Sequence, residues 1–150
     1  MFNKKQLMNE YLNKFPEIES KNWTYEKVKN EMSREIIKIF FSTNYKSTSA
    51  RMRYLRATLN FIDYIASNTK VKHLSNIKYY HIKKYILYLL KKEKNNGEKL
   101  KEKYINTEIN GVLYYFNLVK INNPKLKKGA AFLIQEVKRE NAIQWRKIHT

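Results

Sequence analysis

The sequence predicts an all-α protein, a compact bundle of about five to six helices, from three observations. Apolar residues recur at spacings of three and four along most of the chain. Three Gly and two Pro in 150 residues are too few for a succession of tight hairpins. A hydrophobic content of 43%, with seven Phe and two Trp, supplies a core, and a chain of this length buries roughly 70% of its unfolded surface on folding.

Each helix has its own signal. The first, about Lys4 to Lys14, sets Leu7, Met8, Tyr11, Leu12 and Phe15 on one side and ends before Pro16. Thr24 is the expected N-cap of a second helix reaching about Phe41, with Glu26 near its positive end and Val28, Met32, Ile36, Ile39 and Phe40 as its core stripe. After the loop TNYKSTS, Ser47 or Ser49 can cap a third helix. Its Met52, Leu55, Leu59, Ile62 and Ala66 repeat on one face, opposite a polar stripe of Arg53, Arg56, Asn60, Asp63 and Ser67. A fourth, about Tyr79 to Glu93, points Ile82, Tyr85, Ile86 and Leu89 inward and His81, Lys84, Tyr88 and Lys91 outward. Past the break at Gly97, a fifth spans about Leu100 to Val119 with Tyr104, Ile105, Ile109, Val112, Tyr115 and Phe116, and Gly111 marks a close helix crossing. The sixth runs from Ala130 to about Ile148 with Phe132, Leu133, Val137 and Ile143 on its apolar side.

Charge is unevenly distributed. From Ile36 to Lys92 there are twelve Lys or Arg and one acid, Asp63, whereas residues 1–35 carry seven cations against six acids and residues 93–108 carry four of each. A bias toward Lys, Asn, Ile and Tyr raises the net charge, formally +18, but does not leave two segments neutral and one strongly basic. Clustered cations of this kind are the electrostatic footprint of a nucleic-acid binder. Arg is scarce, six against twenty-five Lys, yet three of the six are Arg51, Arg53 and Arg56. A planar guanidinium grips phosphate or a guanine edge bidentately, which an ammonium does not. Lys46, Lys78, Lys83 and Lys84, and in a second basic segment Lys125, Lys127 and Lys128, are the expected phosphate contacts.

The order of elements in residues 47–124 resembles the N-terminal core-binding, SAM-like domain of tyrosine recombinases, the phage-integrase family. STSARMRYLRATLNFIDYI, with Tyr54, Leu59, Phe61 and Tyr64, is similar to the family's first helix. LSNIKYYHIKKYILYL carries the pattern Leu74, Ile77, Ile82, Tyr85, Ile86 and Leu89, and YINTEINGVLYYFNLVKINNP leads to the closing Asn123-Pro124. The chain departs from the family's pattern at Lys78, Tyr104 and Leu113. The resemblance implies three segments within one unit: supporting helices over 1–46, a DNA-binding region over 47–124, and a basic loop with a C-terminal helix over 125–150. It implies duplex DNA as partner, with other recombinase protomers, in DNA integration or recombination. Strand cleavage in that family belongs to a separate domain, which nothing after Pro124 resembles, so no catalytic role is expected of this chain unless it is the front of a longer recombinase.

Other chemistry finds no support. No Tyr stands among the cations and His that would activate a phenolate. His73 and His81 have no Cys or paired acid beside them, so neither metal nor cofactor is expected, and no small-molecule substrate. With no Cys, no apolar leader and no long apolar run, a cytoplasmic location is expected. An RNA or anionic-membrane binder is the alternative; Trp145 fits the membrane reading weakly, and the basic helices need their apolar faces for a shared core.

Overall fold

In a computed structural model, which describes residues 4–42, 48–118 and 128–149, six α-helices pack around one core: α1 Lys4–Asn13, α2 Tyr25–Ser42, α3 Thr48–Asn68, α4 Tyr79–Lys91, α5 Glu102–Leu118 and α6 Ala130–His149. No strand occurs among the described residues; Glu93 and Lys99 form an isolated bridge across a turn that Gly97 closes at φ 83°. The all-α expectation therefore holds, with helix boundaries close to those the periodicity predicts.

The N-terminal helices are joined by polar side chains that the apolar pattern does not reveal. Thr24 caps α2, its Oγ1 accepting the Lys27 N–H at 3.3 Å. Where α1 ends, Arg34 of α2 donates to the Leu12 and Phe15 carbonyls at 3.2 and 3.1 Å. Asn30 donates to the Pro16 carbonyl at 2.9 Å. These bonds tie α2 to the last turn of α1 and the residues that follow it.

Helix α3 is held between α2 and α5. Leu55 and Ile62 of the expected stripe are buried, but so are Ala57, Thr58, Phe61 and Ile65, because α3 is covered on two sides rather than one. The crossing with α5 is close: a Cβ at Gly111 would lie 2.6 Å from the Ala57 Cβ and 3.3 Å from Tyr54 Cα and its carbonyl oxygen. Thr58 Oγ1 donates across this contact to the Gly111 carbonyl at 3.1 Å. On α4, Ile82, Tyr85, Ile86 and Leu89 face the core as expected. Helix α6 lays Leu133, Ile134 and Val137 inward. Phe132 and Ile143, expected on its apolar side, are exposed, as is Tyr104 at the start of α5.

Candidate nucleic-acid interface

The three clustered arginines divide. Arg53 and Arg56 are exposed on the polar stripe of α3, with Asn60, Asp63 and Ser67 following on the same face. Arg51 is only 4% exposed and its Nη2 donates to the Phe40 carbonyl at 2.6 Å, near the end of α2. It lies two residues before Arg53, and a step of two turns a helical side chain about 200°. Arg51 is therefore a fastener between α2 and α3, and its expected place on a DNA-facing surface is corrected.

The remaining expected contacts are also sorted by the fold. Lys84 and Lys78 are exposed on and just before α4, Lys78 Nζ reaching the Ser75 carbonyl at 3.3 Å. Lys83 is half-buried and paired with Glu140 of α6 at 2.6 Å, so its charge is largely committed within the fold. Lys128 is exposed, its ammonium 4.6 Å from the centre of the Phe132 ring. Lys46, Lys125 and Lys127 lie outside the described residues, as does the Trp145 side chain.

Among the described residues of the block from Ile36 to Lys92, nine cations are exposed: Lys38, Arg53, Arg56, Lys70, Lys72, Lys78, Lys84, Lys91 and Lys92. None of these nine forms an ion pair with a described carboxylate. The single acid of the block, Asp63, is exposed and accepts a hydrogen bond from the Tyr25 hydroxyl. That bond, chiefly, pushes the Tyr25 phenol up to about 12. His81, expected on the outward side of this helix, is half-buried, its Nδ1 accepting the Lys78 N–H at 2.8 Å at the start of α4. Burial first, and then the Lys84 ammonium, hold its imidazole below the ordinary histidine range.

A cleft of about 320 Å³ joins the α3 stripe to α4. The ring of Tyr64 stands 5.1 Å from that of Tyr85 and 4.9 Å from that of Tyr88. Tyr104, Lys92, Asn60, Asp63 and Asn68 also line it. Glu108 lies beside it, 3.4 Å from the Asn60 amide nitrogen, and burial raises its carboxyl above the usual value. Sequence reasoning did not find this cleft, because its walls come from three helices and Tyr85 and Tyr104 read as ordinary core positions.

Among the described residues no group of three or more His, Cys, Asp or Glu could hold a metal ion. No described helix is long and apolar enough to cross a membrane. Comparison of the chain with protein-family models, curated proteins and solved structures finds no match.

Proposed function

We propose that this protein binds duplex DNA through the exposed basic faces of α3 and α4, in the manner of the core-binding part of an integrase-type recombinase. The observation that carries the reading is the set of nine exposed cations that form no ion pair among the described residues, drawn from one stretch of chain whose only acid is engaged by Tyr25. A protein surface ordinarily intersperses both signs. Over residues 1–35 and 93–108 acids are interspersed with the cations along the chain, and Lys99 and Lys138 pair with Glu93 and Glu102. Nine cations outside any ion pair with a described carboxylate keep a positive field that a polyanion can neutralise with release of its counterions. Arg53 and Arg56 are the groups suited to bidentate contacts, with Lys78 and Lys84 on phosphates and Lys128 contributing from the second basic segment.

The proposal assigns no cleavage step to this chain. Burial raises the phenols of Tyr64 and Tyr85, the opposite of the shift that would activate a nucleophile. Fluorescence anisotropy with a labelled duplex, from 50 to 200 mM salt, tests the reading. If six or more phosphates are engaged, affinity falls by about a thousandfold or more over that range. An Arg53→Ala/Arg56→Ala variant weakens binding about tenfold or more. Salt-independent binding, or a variant that binds as the parent does, overturns it.

A further inference from the structure

The outer face of α4 has a pattern that duplex binding does not require. Tyr80, Lys84 and Tyr88 follow one another at intervals of four, so they form one row along the helix with a step of about 6 Å, and Lys92, the next at that interval, caps its C-terminal end. Lys84 lies 4.7 Å from the Tyr80 ring centre and Lys92 lies 5.7 Å from that of Tyr88. Both rings are exposed, Tyr80 at 54% and Tyr88 at 40%. In a duplex, bases are stacked on each other and offer no free face to a protein ring. In an unpaired strand every base has one, and alternating rings and cations give stacking and phosphate contacts in turn.

The row also ends at the cleft, since Tyr88 and Lys92 form one wall of it. The cleft's volume lies at the small end of ligand-sized pockets, which run from about 300 to 1,000 Å³. Its other groups suit a base and not a phosphate. Asp63, with Glu108 beside it, repels the backbone, while carboxylates and the Asn60 and Asn68 amides match base-edge donors and acceptors. Backbone phosphates thus stay outside on Lys84 and Lys92 while a base turns inward onto the tyrosine rings.

We propose that the Tyr80, Lys84, Tyr88 and Lys92 row binds an unpaired DNA strand, with one unstacked base seated in the adjoining tyrosine cleft. The inference rests on the nucleic-acid reading above and gives that surface a second form of the same ligand, such as the strand displaced or melted beside a duplex site.

The test compares a labelled 15-nucleotide single strand, the same sequence as a duplex, and its ribonucleotide counterpart, using the full chain at low salt. Wild type should bind the single DNA strand. Tyr80→Leu/Tyr88→Leu should weaken that binding about tenfold or more and leave duplex affinity within twofold, whereas Arg53→Ala/Arg56→Ala should mainly weaken the duplex. Because Tyr88 also packs on Tyr64, Tyr80→Phe/Tyr88→Phe serves as the control: it preserves the rings and should keep single-strand binding. Duplex binding without single-strand binding, or Leu variants that lose neither form or both equally, overturns the inference while the duplex reading stands. Tighter binding of the ribonucleotide strand overturns the assignment to DNA. No binding to any of the three refutes both readings.

Discussion

Replacing Gly111 by Ala should destabilise the protein even though alanine is the better helix former. The new Cβ would meet the Ala57 Cβ at 2.6 Å, whereas carbon atoms pack at about 3.5–4.0 Å. Helices α3 and α5 must therefore separate locally by roughly 1 Å, and no side-chain rotation relieves this, because the neighbouring atoms are a Cβ and the Tyr54 backbone. Separation also stretches the 3.1 Å bond from Thr58 to the Gly111 carbonyl. Overpacking costs about 1–3 kcal/mol, and the rigid backbone contact places this site in the upper part of that range. Removing a helical glycine returns about 1 kcal/mol. The net loss is about 1–2 kcal/mol, a fall in Tm of roughly 2–8 °C for a chain of this size. Thermal and urea unfolding followed by circular dichroism measure it. Adding Ala57→Gly removes the 2.6 Å contact but itself costs about 1 kcal/mol in helix propensity, so the double variant should lose less stability than the sum of the two single variants. A Tm for Gly111→Ala equal to or above that of the parent refutes the close-crossing account.

Other substitutions separate structural from ligand-facing groups. Arg51→Ala should cost about 2 kcal/mol or more by removing the buried donor to the Phe40 carbonyl, yet leave the DNA affinity of the folded protein within twofold; a selective loss of affinity would return Arg51 to the interface. Arg53→Ala/Arg56→Ala should show the reverse, with stability within about 0.5 kcal/mol of the parent for each exposed site. Glu108→Gln should raise Tm at neutral pH. Burial raises the carboxyl's pKa in the folded state, so the folded form binds the proton more tightly and stability declines as pH rises through the folded value; the advantage of Gln should therefore shrink as the pH falls through that value and be gone by about 4.5, the ordinary carboxyl value. His81 has the opposite sign. Its folded-state value is depressed, so the unfolded chain takes up the proton first, and stability drops as pH falls through about 6.5. The decline between pH 7 and 5 should be smaller in His81→Gln, and an identical profile in the two proteins would show that His81 is not its source.

Much of the fold was legible because each helix advertises its buried face through a period of three to four residues. Thr24, Gly111 and the inward row of α4 stood where local rules put them. What periodicity could not show was how many neighbours a helix has. A lone basic residue reads as surface, but α3 lies between α2 and α5, and the wider buried arc takes in Arg51. Similarly, Phe132, Ile143 and Tyr104 occupy apolar positions in their helices yet find no covering element among the described residues.

By itself, then, the sequence determined the helical class, the helix boundaries to within a few residues, and one basic block with a single acid. These follow from local propensity, repeat spacing and composition, which need no knowledge of which helices touch. Only tertiary structure decided which cations are available. It buried Arg51 against Phe40, tied Lys83 to Glu140, and engaged Asp63 with Tyr25. It also brought Tyr64, Tyr85, Tyr88 and Tyr104 together from three helices. Such choices depend on distances between residues remote in the chain, which helical periodicity does not encode.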